Sequence, residues 1–230
     1  ISHAENFSTD LVHEIRNPLT SLKSASEILY ETEDHDQRTK LIDILNHDVQ
    51  RIERLITDYS QMLKDEVALS KEKMKKINLK LITKSVVDDF NNIYETKRGI
   101  QIILKDSSSQ DEYFIKGIEN RIEQIIANLL DNSISFSDNN KKILVEISKN
   151  ENEKIILKVI DEGKGFRETN TKKIFDRFYS NRPDNFGEHS GLGLNIVKNL
   201  VDLHGATIYA SNNIVQKGAN VEIVFPKVQS

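Results

Sequence analysis

The stretch 13-HEIRNPLT-20 places a proline inside a region that otherwise has the period of a helix. Apolar residues recur there at three- and four-residue steps, at Phe7, Leu11, Ile15, Leu19, Leu22 and Leu29. Pro18 lacks the N–H that would bond the carbonyl of residue 14, so we expect the helix to loosen at Glu14 and to bend just beyond His13. Such a hinge would alter access to His13. The alternative is a harmless kink in a helical bundle.

A second helical pattern follows the first, and the polar stretch 31-ETEDHDQR-38 separates the two. Its apolar positions are Leu41, Ile44, Leu45, Ile52, Leu55, Ile56, Tyr59 and Met62. A short connection predicts that the two helices pack antiparallel as a hairpin. Because one hairpin cannot cover both apolar stripes, we expect two copies to pair as a four-helix bundle, and hence a homodimer.

Helix and strand signals alternate along the rest of the chain. Residues 78–97, 118–134 and 192–203 have helical patterns, and β-branched runs occur in 100-IQIIL-104, 143-ILVEIS-148, 155-IILKVI-160, 207-TIYA-210 and 221-VEIVF-225. This order predicts an α+β fold, a mixed sheet covered on one face by helices. We therefore divide the chain into a helical hairpin domain (1–68), a charged linker around 70-SKEKMKK-76 (69–76) and a second domain (77–230).

Composition narrows the class of protein. The net charge is −4 and Lys and Arg do not cluster, which argues against nucleic acid as a partner. There is no cysteine, so neither disulfides nor cysteine ligands occur. No apolar run reaches the roughly 18 residues of a membrane helix. Because residue 1 is Ile, we expect a soluble piece of a longer protein.

Five of the nine glycines fall between Gly163 and Gly193, and four of these five form two clusters. The first, 161-DEGKG-165, follows a predicted strand, and the second, 190-SGLGL-194, opens a predicted helix. Glycine lets the backbone approach a ligand closely, and a helix N-terminus offers free N–H groups to a phosphate. Each cluster taken alone is equally compatible with a simple turn.

Two further motifs carry side chains suited to a nucleotide site. In 128-NLLDN-132, Asn128 and Asn132 are four residues apart on one face of a helix, and their amide oxygens are suitable ligands for Mg²⁺. They could instead be solvent-facing amides, but four apolar neighbours, Ile125, Ile126, Leu129 and Leu130, indicate a covered position. In 174-IFDRFYS-180, Phe175 and Phe178 would anchor a loop or form a small satellite core.

Together these motifs resemble those of the two-component sensor histidine kinases, in family order and over nearly the whole chain. His13-Glu14 with Asn17-Pro18 is similar to the H box, Asn128 to Asn132 to the N box, Asp161-x-Gly163-x-Gly165 to the first G box, Phe175 to Phe178 to the F box, and Gly191-x-Gly193-Leu194 to the second G box. The resemblance implies a hairpin that dimerises into a four-helix bundle, followed by an α/β sandwich of the gyrase, chaperone and histidine kinase ATPase type.

The resemblance also implies the chemistry. His13 would accept the γ-phosphoryl group of ATP, with Glu14 holding the other ring nitrogen and acting as the general base. Asn128 and Asn132 would hold Mg²⁺, and Asp161 would accept a hydrogen bond from the adenine amine. The remaining nucleotide contacts would come from Gly163, Gly165, Phe178, Gly191, Gly193 and Leu194, with residues 166–190 as a lid pivoting on Gly187, Gly191 and Gly193. The phosphoryl group would then pass to an aspartate in the receiver domain of a response regulator. The resemblance further implies that the chain is the cytoplasmic portion of a membrane-anchored protein, with any membrane contact outside this sequence.

Asn17 lies one helical turn after His13 and on the same face. Its amide would orient a water molecule for attack on the regulator's phosphoaspartate, giving a phosphatase activity. One position departs from the family pattern, because Ser135 replaces a frequent lysine, whose phosphate contact would be missing or come from Lys164, Arg182 or His189.

Two rival functions remain open at this point. The first is a related ATPase, although the gyrase, chaperone and MutL types lack a His13-like hairpin. The second is a pseudokinase scaffold that docks a regulator without turnover, which the serine at position 135 favours slightly.

Overall fold

The computed structural model describes residues 3–69, 72–107, 112–167, 170–176, 192–213 and 217–228. The chain divides into two compact units, a helical hairpin and an α/β unit that starts at Glu72. The helices are α1 (His3–Glu31), α2 (His35–Leu69), α3 (Leu79–Arg98), α4 (Glu119–Phe136) and α5 (Gly193–Leu203). The strands are β1 (Lys75–Asn78), β2 (Gln101–Asp106), β3 (Phe114–Gly117), β4 (Lys142–Lys149), β5 (Ile155–Asp161), β6 (Thr207–Asn212) and β7 (Ala219–Phe225).

The predicted hairpin is present, with a tighter turn than the polar stretch indicated. Only residues 32–34 lie outside α1 and α2. The Asp34 carboxylate accepts from the Gln37 N–H at 2.8 Å, which satisfies a free donor at the start of α2. The Arg38 guanidinium donates to the carbonyls of Leu29 and Thr32, both at 2.9 Å. These bonds join the end of α1 to the start of α2 and hold the two helices in an antiparallel pair.

Pro18 does not end the first helix. The helix α1 continues through it to Glu31, and Pro18 itself is buried. Two residues later, the Thr20 hydroxyl donates to the Arg16 carbonyl at 2.9 Å. A hinge at this proline therefore stays a prediction.

Several large apolar side chains of the hairpin are exposed. Val12, Leu19, Ile28, Ile42, Ile44, Val49 and Ile56 each expose between 44% and 52% of their surface. So many half-exposed apolar side chains on one pair of helices indicate a surface that packs against a partner. In the described part of the chain, none of the helices combines the length and apolar character needed to cross a bilayer.

The α/β unit contains the predicted mixed sheet, which confirms the fold class. The strand order is β2-β4-β5-β7-β6, with β2 and β4 parallel and the other neighbours antiparallel. Residues facing the helices are buried, as in β4 with Ile143, Val145 and Ile147, while Lys158 and Glu222 form a 3.1 Å ion pair on the outer face. The apolar residues of α4 are buried against this sheet, which sets the orientation of Asn128 and Asn132.

Two residues assigned to the linker belong to a strand instead. Lys75 and Lys76 are part of β1, which pairs antiparallel with β3 through Lys75 with Gly117 and Lys76 with Lys116. The Lys76 ammonium lies 4.3 Å from the centroid of the Phe114 ring. The linker prediction was wrong here because 75-KKIN-78 has one apolar residue, and its partner strand lies about 40 residues away in the chain.

The C-terminal end of α4 is fixed by a residue from α3. The Arg98 guanidinium donates to the carbonyls of Ile134 and Ser137, at 2.8 and 2.6 Å, and to Oδ1 of Asn139 at 2.9 Å. Carbonyls at the end of a helix have no partner within the helix, so Arg98 satisfies acceptors that would otherwise be left to water. This clamp holds the turn of α4 that carries Asn132 and Ser133.

The N-terminal end of α4 is tied to α5 by a buried histidine. Nδ1 of His204 donates to the Leu200 carbonyl at 2.7 Å, and Nε2 accepts from the Ile118 N–H at 3.1 Å. Only the neutral ring can make both bonds, because a protonated imidazole has no acceptor. Burial lowers the pKa of His204 below its ordinary value of 6.5, against the opposing effect of the Leu200 carbonyl.

This geometry predicts an acid-sensitive component of stability. The folded state favours neutral His204, so its contribution is complete above pH 6.5 and is lost as the pH falls through the lowered folded-state pKa. We expect His204→Gln, which keeps an acceptor but does not titrate, to flatten the pH dependence of denaturant unfolding of the α/β unit in that window. His35→Gln, which changes an exposed histidine of the hairpin, is the control. An unaltered slope in the His204 variant would contradict the prediction.

Candidate functional site

Asp161 lies at the end of β5, where the strand meets the first glycine cluster. Its side chain is buried, and Oδ1 accepts from the Gly163 N–H at 2.9 Å and from the Ala219 N–H at 3.0 Å. Burial raises the pKa of Asp161 above 3.8, while the N–H groups of Ala219 and Gly163 and the Ser133 side chain act in the opposite direction. A buried carboxylate with one oxygen fully occupied suits the binding of a single polar group of a ligand.

The turn after Asp161 needs its first glycine for close packing. A Cβ at Gly163 would lie 2.6 Å from the Phe136 carbonyl oxygen, so a side chain would push the turn away from the end of α4. Gly165 adopts a φ of +73°, and the following residue is fixed by Asn212, which accepts from the Phe166 N–H at 2.6 Å and donates to the Phe166 carbonyl at 2.9 Å. The predicted Gly163 and Gly165 are therefore part of one pinned turn beside Asp161.

Asn128 and Asn132 lie on α4, as predicted, and both are half-buried. Nδ2 of Asn128 is buried and has no hydrogen-bond partner among the described residues. A buried amide without a partner indicates a group that a ligand completes. Ser135, at the position of the frequent family lysine, donates to the Asn132 carbonyl at 2.7 Å.

The amide oxygens of Asn128 and Asn132 fit Mg²⁺ only if a nucleotide supplies further ligands. The two asparagines offer neutral amide oxygens, which are hard ligands. Within the described ranges, no group of three or more His, Asp or Glu side chains could hold a metal ion. An ion bound here would therefore take most of its ligands from phosphate oxygens and water, as Mg²⁺ commonly does.

The second glycine cluster is described only in part. Gly193 begins α5, and among the described residues a Cβ there would meet nothing within 4 Å. Leu194 is partly buried and packs against the main core. Gly191 and Phe178, together with Gly187 and most of the proposed lid, lie outside the described residues.

Phe175 ends a short 3₁₀ helix, Thr171–Phe175, and belongs to the main hydrophobic core. The satellite core considered for this motif is therefore not found at Phe175. Asn195 in α5 donates from Nδ2 to the Phe175 carbonyl at 2.9 Å. This bond joins α5 to the aromatic motif.

In the hairpin, His13 and Asn17 are both exposed on α1. Glu14 is half-buried, and its Oε2 accepts from Nη2 of Arg51 in α2 at 3.3 Å. The Glu14 carboxylate thus makes an ion pair across the hairpin, and its contact with His13 stays a prediction.

The sequence interpretation missed several residues that surround Asp161. Ser133 follows Asn132 but was not singled out, and Ala219 and Asn212 are remote in the chain. Gly218 was also missed, although a Cβ there would lie 1.9 Å from the Asp161 carbonyl oxygen. A signal existed for Gly218 alone, because an isolated glycine before a predicted strand often marks a close backbone approach.

Two family models match the chain in the same order as its two units. Residues 4–68 match the His Kinase A (phospho-acceptor) domain, and residues 117–229 match the histidine kinase-, DNA gyrase B-, and HSP90-like ATPase family. Sensor protein ChvG from Rhizobium meliloti is 34% identical over 218 residues, which cover 92% of this chain and 38% of that protein. ChvG from Agrobacterium fabrum is 32% identical over 240 residues, and the match covers 100% of this chain and 40% of that protein.

Solved structures share the fold. The Acinetobacter baumannii histidine kinase AdeS has a TM-score of 0.61 at 21% identity, with 93% of this chain and 96% of that chain covered. The histidine kinase ThkA, in complex with the response regulator protein TrrA, has a TM-score of 0.67 at 22% identity, with 97% and 61% covered. The chain thus spans about two fifths of the ChvG sensor proteins and nearly all of AdeS as solved.

Proposed function

The chain belongs to the sensor histidine kinases of two-component systems, and from that premise we propose that it phosphorylates His13 with ATP and passes the phosphoryl group to an aspartate of a response regulator. One observation carries the proposal, which is that two different sites occur in the same chain. The exposed His13 lies within the match to the phospho-acceptor domain, and the buried carboxylate of Asp161 lies within the match to the ATPase family. Neither half alone would be a kinase.

The acceptor step uses the lone pair of a neutral imidazole. Nε2 of His13 attacks the γ-phosphorus of ATP, an N–P bond forms, and the bond from that phosphorus to the bridging oxygen breaks, so that ADP leaves with the electron pair. Positive charge then develops on the ring, and the proton on Nδ1 must pass to a base. His13 is exposed on α1, so its ring is accessible to a donor.

We propose Glu14 as this base, and we infer that Arg51 competes with His13 for the Glu14 carboxylate. In the hairpin the Glu14 carboxylate is engaged by the Arg51 guanidinium at 3.3 Å. Glu14 would therefore exchange Arg51 for His13 when the donor arrives, which its half-buried position permits.

In the α/β unit, Asp161 would accept from the exocyclic amine of adenine. Guanine has a carbonyl oxygen at that position, and a carboxylate would repel it, so the site would select ATP over GTP. Asn128 and Asn132 would hold Mg²⁺, which neutralises the charge of the phosphates when it is bound. The start of α5 at Gly193 would supply backbone N–H donors to the phosphates.

The partners follow from the same premise. We propose a homodimer through the hairpin, supported by its half-exposed apolar side chains, and a receiver domain as the phosphoryl acceptor, supported by the ThkA complex with TrrA. We also propose that the chain works in the cytoplasm as part of a membrane-anchored sensor. The support is that its relatives are named sensor proteins and that the match covers only 38% to 40% of their length.

A direct test is incubation of the chain with radiolabelled ATP and Mg²⁺, followed by acid and alkali treatment of the labelled protein. We expect label that is lost in acid and retained in alkali, as for phosphohistidine, and that moves to a receiver domain. Hydrolysis of ATP without label on the protein would instead indicate a related ATPase. A chain that binds no adenine nucleotide would indicate a scaffold.

We also propose that Asn17 supports dephosphorylation of the regulator. It is exposed one turn after His13, so a regulator docked on His13 would also lie near its amide. We expect Asn17→Ala to keep autophosphorylation and transfer while slowing the loss of phosphate from a phosphorylated receiver domain. Positioning of a water requires no proton transfer by the amide, so the defect should not change with pH.

The control for Asn17 is Ser21→Ala, a further turn along α1. Dephosphorylation at the wild-type rate in the Asn17 variant, or a kinase defect of equal size, would count against this role.

A further inference from the structure

We propose that Arg98 is a positioning residue for the nucleotide, because its guanidinium fixes the end of α4 against the turn that follows Asp161. The inference rests on the proposed function and adds to it a residue of α3. Among the described residues, the Arg98 side chain bonds two backbone carbonyls and Asn139, so it acts on the nucleotide site through α4.

The Arg98 side chain makes three hydrogen bonds around the end of α4. Nη1 donates to the Ile134 carbonyl at 2.8 Å, Nη2 to the Ser137 carbonyl at 2.6 Å, and Nε to Oδ1 of Asn139 at 2.9 Å. Because the guanidinium is planar and rigid, it holds the three acceptors at fixed positions relative to one another. Ile134 and Ser137 are both buried, so water has little access to their carbonyls if the guanidinium is removed.

The backbone of Arg98 is joined to the same segment. Its carbonyl accepts from the Asn140 N–H at 2.9 Å, and the Gln101 N–H donates to the Lys141 carbonyl at 3.1 Å. These bonds tie the end of α3 and the start of β2 to the residues that follow α4. The Arg98 side chain therefore extends from a fixed point of the backbone.

The clamped end of α4 packs against the turn that follows Asp161. The Phe136 carbonyl oxygen would lie 2.6 Å from a Cβ at Gly163, so the backbone of Gly163 lies directly against the last residue of the helix. The Gly163 N–H in turn donates to Oδ1 of Asp161 at 2.9 Å. A shift of the helix end would therefore move a donor that orients the Asp161 carboxylate.

The same end of α4 carries a second residue proposed for the nucleotide site. Asn132 precedes Ile134 by two residues, and its carbonyl accepts from the Ser135 hydroxyl at 2.7 Å. Without Arg98, the last carbonyls of the helix would lack these partners, and the turn would open more readily. Arg98 thus supports the positions of both Asn132 and Asp161.

The test compares Arg98→Gln and Arg98→Lys with Asn91→Ala. Asn91 also lies on α3, and its amide makes two hydrogen bonds to the backbone of Ile102, both at 2.8 Å, so its removal loosens α3 from β2 and not from α4. Three quantities are measured on the whole chain. They are denaturant unfolding, ATP affinity and kinetics under conditions where each variant is folded, and the Gly163 amide signal in the ¹⁵N NMR spectrum without nucleotide.

In Arg98→Gln we expect ATP affinity to fall roughly 2- to 30-fold, with a matching rise in the KM for ATP. The kcat at saturating ATP should stay within about twofold, because Arg98 acts on nucleotide binding and not on His13. The Gly163 amide signal should shift, because its backbone moves relative to Phe136 and Asp161. Lysine has donors but no planar fork, so Arg98→Lys should restore part of the affinity.

Asn91→Ala should lose stability but keep the wild-type ATP affinity and Gly163 signal. An equal loss of affinity in Asn91→Ala would show that any loosening of α3 has this effect, and that result would overturn the proposal. If Arg98→Gln does not fold, Arg98→Lys provides the same comparison.

The results distinguish failure of this inference from failure of the proposed function. Wild-type ATP affinity and an unshifted Gly163 signal in the Arg98 variants would overturn this inference and leave the proposed function intact. A wild-type chain without affinity for ATP would overturn the proposed function. A Gly163 shift in the Arg98 variants that Asn91→Ala lacks would then still establish that Arg98 positions the turn beside Asp161.

Discussion

Replacement of His13 by glutamine is expected to abolish stable phosphorylation of the chain and to leave ATP affinity unchanged. Glutamine has a similar polarity but no ring nitrogen with a nucleophilic lone pair, so no N–P bond can form. His13 is exposed on α1, so its loss should cost little stability. Asn128, Asn132 and Asp161 lie in the other compact unit, so calorimetric binding of ATP provides the independent readout.

The matched control is His35→Gln, because His35 is also exposed and lies in the same hairpin, at the start of α2. This variant should take up label like the wild type. Acid-labile label on the His13 variant at the wild-type stoichiometry would refute His13 as the acceptor and would move attention to another histidine.

The helices and the long strands of this fold were predictable because each contains its own pattern. The alternation in β4 and β5 and the three- and four-residue steps in α1 and α2 are local properties of the sequence. β1 and β3 were not predictable in this way, since each has four residues and is stabilised by the other. A short strand is specified by its pairing partner, and that partner is remote in the chain.

The residues of the candidate site also differ in whether the local sequence predicts them. Asp161 and Gly163 were predictable because a strand end, an acidic residue and glycines follow one another directly. One of the donors that hold the Asp161 carboxylate is the Ala219 N–H, which is 58 residues away in the chain. Only the folded chain brings the two residues together, so no spacing rule could have named Ala219.

Glu14 shows that the sequence does not define which group a helical side chain contacts in the folded hairpin. It adjoins His13 in the chain, yet its carboxylate contacts Arg51, 37 residues away. On a helix the residues that meet are three or four apart, or lie on the facing helix. The pairing of Glu14 with Arg51 is a property of the hairpin register, which the sequence pattern alone left undefined.

Replacement of Asp161 by asparagine is expected to remove most of the ATP affinity without lowering the stability of the α/β unit. The amide oxygen can still accept from the N–H groups of Gly163 and Ala219, but the amide nitrogen then takes the place of the second carboxylate oxygen. A donor would face the adenine amine where an acceptor is required. Loss of a charge-assisted bond of about 1.5 to 3 kcal/mol corresponds to roughly 10- to 150-fold weaker binding.

The free energy of unfolding of Asp161→Asn should stay the same or rise, and the direction follows from the pKa of Asp161. Burial raises the pKa of Asp161 above its ordinary value of 3.8, so ionisation of this group is unfavourable in the folded state at neutral pH. That penalty disappears as the pH falls through the raised pKa, because the carboxyl then takes up a proton in the folded chain before it would in the unfolded one. Asparagine removes the penalty at every pH, so the variant should unfold at the same denaturant concentration as the wild type or a higher one.

Glu162→Gln provides the control, since it removes the same charge one residue further on, from a side chain that accepts from the Lys142 N–H at 3.3 Å. If nucleotide binding depended on the negative charge of the turn as a whole, both variants would lose affinity equally. If Asp161 recognises adenine, the loss is confined to Asp161→Asn and is larger for ATP than for the bare triphosphate group, which makes no adenine contact. An affinity for ATP that survives in Asp161→Asn would place the adenine elsewhere and leave the buried carboxylate without a ligand.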